Sequence, residues 1–355
     1  MHQNESFQDF GFSASGDVED ENIFPQEMKI EELSMKIEAL ILQKIHPVIV
    51  GTFGTIGNLL IIIYFVKINL KKKLKNMSSY HFIINMLAVA DLLACLGESV
   101  LSSYWSKQSW ELGEFECRFL VDFASCVCPM ASSWLLVFLS YVRYRSLVQP
   151  FKTRISKRKC GAVCFTIWLV SFVNCIYVFI NRKLFFEMDY EGHLRLQCKI
   201  RTSTSNILAY DVSYMFLDSV FPVALMTHFY RKIKQKIDDD KTNSFELNPQ
   251  SRQRNHTALK TIRSLIMVYI ICVCPARIIY AFLHTVNIYA QREPLFHATL
   301  ISYISVIRAL TVFTYYFNNL LNVFVYAKMM TGFRQFLIHV LTFKFLHDCR
   351  RKKTE

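Results

Sequence analysis

The sequence predicts an all-α membrane protein, a seven-transmembrane helix bundle followed by a short amphipathic C-terminal surface helix. Three observations predict it. Hydrophobic residues make up 52% of the 355 positions. They gather into seven long runs in series, where a large soluble domain would alternate polar and apolar helix faces. Lys and Arg concentrate in every second loop between those runs.

Each run holds roughly twenty or more mostly apolar residues, enough to cross hydrocarbon about 30 Å thick. Backbone amides cannot go unpaired in lipid, so the runs must be helices. They cover approximately residues 45–66, 77–104, 119–148, 160–180, 207–230, 262–286 and 300–327. Lys67, Lys71, Lys72, Lys73 and Lys75 follow the first run. Arg145, Lys152, Arg154, Lys157, Arg158 and Lys159 follow the third, and Arg231, Lys232, Lys234, Lys236, Arg252 and Arg254 the fifth. The end of the chain adds Arg350, Arg351, Lys352 and Lys353. The positive-inside rule therefore expects these loops and the C-terminus in the cytoplasm and the N-terminus outside. The net charge of +13 is then an orientation signal and not a nucleic-acid-binding one.

Three parts follow. Residues 1–43 are an acidic extracellular tail, polar to about residue 28 and weakly helical after it. Residues 44–328 are the membrane domain, and residues 329–355 hold the surface helix and a basic cytoplasmic tail. In the surface helix, Phe333, Arg334, Phe336, Leu337, Val340, Leu341, Phe343 and Lys344 alternate at helical spacing, a pattern that lies in the lipid interface. The stretch 237–255 is expected to be a short flexible inner loop. The first 40 residues lack an apolar core, so no cleavable signal peptide is expected and the first helix serves as targeting signal. Asn4 opens an outer glycosylation sequon, Asn4-Glu5-Ser6.

Most of the eleven cysteines lie within apolar runs, where Cys acts as a small hydrophobe. Cys117 and Cys198 lie instead on the expected outer side, an oxidising compartment in which they can pair. Cys349 lies in the basic inner tail, where palmitoylation would pin the surface helix. Residues 188–200 hold Asp189 and Gly192 beside an alternating run that ends at Cys198, which reads as a hairpin.

Polar groups inside the helices are the functional candidates. Asn58 follows Gly57 in the first. Asp91 sits mid-way along the second, and Asn318, Asn319, Asn322 and Tyr326 line the seventh. Interhelical hydrogen bonding accounts for any single Asn, but not for a carboxylate near the bilayer centre. Tyr141-Val142-Arg143-Tyr144 ends the third run, placing an arginine at the membrane boundary.

In order and spacing these motifs resemble the rhodopsin-like (class A) G-protein-coupled receptors, over about residues 44–345. The matches are Asn58, the run Leu87-Ala88-Val89-Ala90-Asp91-Leu92, Trp110 with Gly113 and Cys117, Arg143-Tyr144 with Pro150, and Trp168. They continue with Phe221-Pro222 and Tyr230, Cys272 with Pro275, Asn322 with Tyr326, and Phe333-Arg334. The chain departs from the family at three switch positions. Val142 replaces an acid before the arginine, Val273 replaces a tryptophan, and Val323 replaces the proline after Asn322. The interval from Cys117 to Arg143 is one residue longer than usual, so the third helix is expected to bulge near Pro129.

The resemblance implies a receptor that couples an extracellular ligand to a heterotrimeric G protein, with arrestin as a further partner and lipid around it. It implies a Cys117–Cys198 disulfide, and a coupling and switch set of Arg143, Tyr144, Tyr230, Pro275, Asn322 and Tyr326. It also implies a central polar cluster of Asn58, Asp91, Ser132, Asn318 and Asn322, which holds sodium in relatives. Without an acid at Val142, Arg143 loses a charge-assisted hydrogen bond of about 1–3 kcal/mol, which predicts raised basal activity unless local packing compensates.

The pocket candidates are Glu98, Asp122, Ser125, Asp218, Arg277, Tyr280, Arg308 and Tyr316. The amine-anchoring position holds Ser125, leaving Asp122 one turn higher as the amine alternative. The retinal-lysine position holds Tyr316. A carboxylate or amidated peptide end would suit Arg277 and Arg308, and outer-loop hairpins accompany peptide ligands in the family. Other readings are a receptor-like protein without signalling, another small-molecule ligand, and a transporter. The chain has no internal repeat of the carrier kind. No nucleophile–base pair or metal-ligand cluster suggests an enzyme, His284 and His297 being isolated.

Overall fold

The computed structural model describes residues 32–71, 79–107, 110, 112–149, 155–188, 194–201, 203–242, 249–290 and 297–342. Asn4, Pro150, Asp189, Gly192 and Cys349 lie outside the described residues. Helix α1 spans Glu32–Ile68, α2 Ser79–Lys107, α3 Glu114–Val148 and α4 Lys157–Asn181. Strands β1 (Arg182–Met188) and β2 (Leu194–Ile200) form an antiparallel hairpin. Helix α5 runs unbroken through Thr204–Met215, Phe216–Val220 and Phe221–Thr242. Helices α6 (Pro249–Ala290), α7 (His297–Met329) and α8 (Thr331–Leu341) complete the chain. Among the described residues, six helices are long and apolar enough to cross a membrane. The seventh, α7, is 33 residues long.

Helix α3 is the axis of the bundle, packing against α2, α4 and α5, while α6 packs on α5 and α7. Leu135, Leu136 and Leu139 of α3 are buried in the main core with Ile83, Ile84 and Leu87 of α2. Side chains pointing outward are apolar too, among them Phe165, Leu169 and Val173 of α4. A surface of that kind belongs in lipid. Small residues set the closest approach. A Cβ at Gly57 of α1 would lie 2.7 Å from Val323 Cγ2 of α7, so glycine there is what lets the two helices touch.

Three helices contain a wide turn next to a proline. The N–H of Cys128 bonds the carbonyl of Phe123, five residues back, just before Pro129. In α5 the N–H of Phe221 bonds Phe216 just before Pro222. In α1 the N–H of His46 bonds Ile41 just before Pro47. Proline has no N–H to give and its ring crowds the carbonyl four residues back. A five-residue hydrogen bond relieves that crowding without ending the helix. The bulge expected near Pro129 is this turn, Phe123–Val127.

Two expectations are corrected. The inner loop expected at 237–255 is largely helical, since α5 continues to Thr242 and α6 opens at Pro249. Met226, Ile233 and Ile237 stay buried along one stripe of α5, so amphipathic spacing carries the helix past the apolar run. The hairpin also begins earlier than Met188, directly after α4 at Arg182. Leu184 and Leu196 pack there with Trp110 and Leu101, which gives the first strand an apolar face.

Candidate functional site

The polar side chains form three layers along the bundle axis. Arg143 ends the first layer, on α3. Its guanidinium carbon lies 3.4 Å from the centre of the Tyr80 ring, on α2. Tyr144 points the other way, its ring 5.5 Å from Phe229 of α5 and its hydroxyl accepting from Gln149 Nε2 at 3.1 Å. Tyr326 is buried, with its hydroxyl lacking a hydrogen-bond partner among the described residues. Tyr230 is half-buried against the core and makes no hydrogen bond to either. Pro275 lies inside α6 on its outward side.

The second layer centres on Asp91, which is fully buried. Ser132 Oγ donates to Oδ1 at 2.6 Å and Asn322 Nδ2 to Oδ2 at 2.7 Å. Asn58 Nδ2 donates to the carbonyls of Gly54 at 2.9 Å and Asn319 at 3.2 Å. Asn318 is buried nearby in sequence but makes no hydrogen bond to Asp91; its Oδ1 is unpartnered. The Oδ1 atoms of Asn58 and Asn322 are likewise buried acceptors without donors among the described residues. A carboxylate among surplus buried oxygens suits a small cation or water, both of which need acceptors or polar partners.

The third layer was mostly invisible in the sequence. Asp218 of α5 is completely buried and joins four helices. Its Oδ2 accepts from Arg277 Nε of α6 and from the Tyr315 hydroxyl of α7, each at 2.9 Å. Its Oδ1 accepts from Ser133 Oγ of α3 at 2.8 Å. The Tyr269 hydroxyl of α6 lies within reach of Ser133 Oγ, at 2.8 Å, and of the Asp218 carbonyl. That carbonyl is four residues before Pro222, which cannot donate to it. The Arg277 guanidinium also hydrogen-bonds Tyr315. Its carbon lies 4.0 Å from the Tyr315 ring centre and 4.5 Å from that of Tyr214. Such rings stabilise a cation through their quadrupoles.

The remaining pocket candidates are dispersed. Asp122 of α3 pairs with Arg182 at the start of β1, Oδ1 lying 2.6 Å from Nη2, and so braces the hairpin. Ser125 Oγ bonds the carbonyl of Val121 in its own helix. Glu98 is buried beside the Tyr316 hydroxyl. The Tyr316 ring stands edge-on to His46 of α1 at 5.6 Å. Arg308 of α7 pairs with Glu38 of α1 at 2.5 Å, and Tyr280 is exposed on α6. Cys117 and Cys198 form a disulfide with Cα atoms 5.8 Å apart. It joins α3 to β2, while the Trp110 N–H donates to the Leu196 carbonyl at 2.7 Å.

The residues missed in the sequence are Tyr80, Ser133, Tyr214, Tyr269, Tyr315 and His46. Tyrosine in an apolar helix reads as packing, so no spacing rule flags it. One signal was available, because the carbonyl one turn before an internal proline needs a donor from elsewhere.

A seven-helix membrane bundle with a disulfide-tied hairpin at one end and a lone arginine at the other is the build of a transmembrane receptor. Residues 57–326 match the family model described as "7 transmembrane receptor (rhodopsin family)". The chain therefore belongs to the rhodopsin-like G-protein-coupled receptors, which are receptors and not enzymes. It is 25% identical to the type-1 angiotensin II receptor of Meleagris gallopavo over 301 residues, 83% of this chain and 79% of that one. The human type-1 angiotensin II receptor is also 25% identical, over 83% of this chain and 78% of its own length. The N-arachidonyl glycine receptor of Macaca fascicularis is 24% identical over 204 residues, 56% of this chain and 58% of that one.

Proposed function

We propose that this receptor binds an extracellular peptide at the hairpin end of the bundle and couples that binding to a heterotrimeric G protein at the Arg143 end. The N-terminus is then extracellular and the C-terminus cytoplasmic, as the loop charges imply. The observation that carries the peptide reading is the hairpin. It is held by the Cys117–Cys198 disulfide and by the Asp122–Arg182 ion pair. Two fixed strands leave a wall along which an extended peptide can lie. The similarity to angiotensin II receptors over most of both chains points the same way.

The switch set is Arg143, Tyr144, Tyr230, Pro275, Asn322 and Tyr326. A ligand that binds one arrangement of α5, α6 and α7 better than another shifts the population between them. The Asp218 layer is the connecting element, since it ties α3, α5, α6 and α7. The Asp91 cluster is a candidate sodium site, with Asp91, Ser132, Asn58, Asn318 and Asn322 as its oxygen donors. Arrestin is proposed to share the Arg143 face.

A peptide library applied to cells expressing the full chain tests this reading. A peptide that activates G protein in these cells, and fails with Arg143→Ala, is the expected result. Activation by lipid amides or amines, with no peptide active, would overturn the peptide assignment and leave the coupling assignment standing.

A further inference from the structure

A crevice of about 480 Å³ opens between α4 and α5 near the hairpin. Asn174 and Tyr177 of α4 line it, with Asn206, Tyr210, Ser213 and Tyr214 of α5. We propose that this crevice is a binding site for a sterol-like lipid, a neutral molecule with one hydrogen-bonding head and a flat apolar body. The proposal goes beyond the ligand reading above and stands apart from the peptide assignment.

The surroundings place the opening toward lipid. Leu169, Val170, Val173 and Ile176 on α4, and Val212 and Phe216 on α5, are all exposed and apolar. The seam exists because both helices lean on α3. They meet across the crevice through a stack of Tyr177 on Tyr210, ring centres 5.6 Å apart.

The chemistry of the lining selects the occupant. Among the described residues it contains no Lys, Arg, Asp or Glu, so these offer nothing to recognise a phosphate or carboxylate. The Asn174 amide and the Ser213 hydroxyl are spent on their own helices. Asn174 Nδ2 donates to the Val170 carbonyl at 2.8 Å and Ser213 Oγ to the Ala209 carbonyl at 2.7 Å. Asn206, exposed near the start of α5, makes no side-chain hydrogen bond among the described residues. Asn206 at the rim and the Tyr210 hydroxyl one helical turn below it, buried without a partner among the described residues, suit one polar head on an apolar body. From Asn206 to Leu217 the crevice runs eleven residues of helix, about 16 Å at 1.5 Å per residue. Its walls are tyrosine rings with few rotatable bonds, which favours a rigid body over a flexible chain that must lose rotamer freedom on binding.

The floor connects the crevice to the Asp218 layer. Tyr214 donates its hydroxyl to the Cys126 carbonyl of α3 at 2.7 Å. Its ring faces the crevice and also lies 4.5 Å from the Arg277 guanidinium carbon. An occupant that presses on Tyr214 bears on the Arg277–Asp218 pair.

The test uses the purified full-chain receptor in phosphatidylcholine nanodiscs with a diazirine-bearing photoreactive sterol, mapping labelled residues by mass spectrometry. Saturable labelling of the segments holding Tyr177 and Tyr210, displaced by unlabelled sterol, is expected. Ala209→Trp and Leu217→Trp fill the crevice at different depths, so one decides if the other does not fold. Either folded variant should lose about tenfold in apparent sterol affinity, while Phe165→Trp, on the exposed face of α4 away from the crevice, should lose none. Labelling that does not saturate, that spreads evenly over the lipid-facing surfaces, or that survives both folded fillings would overturn the proposal.

Discussion

Arg143 rests on the ring of Tyr80, with 3.4 Å between its guanidinium carbon and the ring centre. In this chain the position before the arginine is Val142, so a carboxylate neighbour is missing there. An aromatic face on α2 takes the cation instead. Both groups are half-buried, and a cation over such a ring gains about 1–2 kcal/mol, comparable with the hydrogen bond that the valine forgoes. The raised basal activity expected from Val142 alone is therefore opposed by Tyr80.

The first prediction concerns that ring. Tyr80→Leu should raise ligand-free G-protein activation about tenfold, since ~1.4 kcal/mol moves a two-state equilibrium by that factor. Tyr80→Phe keeps the ring and should leave activation near its original level. Val142→Asp added to Tyr80→Leu should bring it back down. Equal signalling from Leu and Phe variants would remove the ring from the account.

A second prediction concerns the Asp218–Arg277 pair. Both groups are deep in the bundle, with side-chain exposures of 0% and 16%. Removing one partner strands the other charge and should cost about 3–5 kcal/mol. Asp218→Leu and Arg277→Met should each lower the thermal transition of the detergent-solubilised receptor sharply. The double variant should recover much of the loss, because no charge is left alone. Additive losses would mean that the two side chains are not coupled.

Arg308 gives a third. Its partner Glu38 is at the rim, and the arginine side chain is 52% exposed. Rim pairs contribute about 0–1 kcal/mol, further reduced by salt. Arg308→Gln should therefore leave stability nearly unchanged. A large loss of ligand potency in that variant would mark Arg308 as a ligand contact, and an unchanged potency would remove it from the pocket.

The disulfide gives a fourth. It closes a sequence separation of 81 residues, and cross-links over loops of that size contribute about 4 kcal/mol. Cys198→Ser, or reduction of the intact protein, should loosen the hairpin. Surface expression and the thermal transition should fall together, and the response to ligand should fall further than expression does. A response that merely tracks expression would argue that the hairpin is no part of the binding wall.

The seven spans were legible because each is a continuous apolar run, and lipid leaves such a run only one backbone structure. The Asp91 cluster was legible because a carboxylate there needs partners, and Ser132 and Asn322 are those partners. Asn318 was grouped with them by position, yet it makes no hydrogen bond to Asp91. The Asp218 layer was not legible. Asp218 and Arg277 were each visible as charges, but their pairing depends on how α5 and α6 turn, and the turn of α5 depends on the wide bend at Phe216–Val220. Tyr269 and Tyr315 look like core residues until a buried carboxylate supplies an acceptor. The ends of α5 and α6 were misread because apolar run length marks the membrane and not the helix.

The wide turn in α3 carries a consequence for chain length. One residue added to a regular helix rotates everything beyond it by about 100°. Cys117 must face Cys198 at one end of α3 while Ser132 faces Asp91 further along. The extra residue of this interval would break one of those alignments were it not looped out at Phe123–Val127. That segment is where one residue can be lost without loss of register. Deleting one residue there should leave a folded receptor, whereas the same deletion at Leu135–Leu139 should leave none.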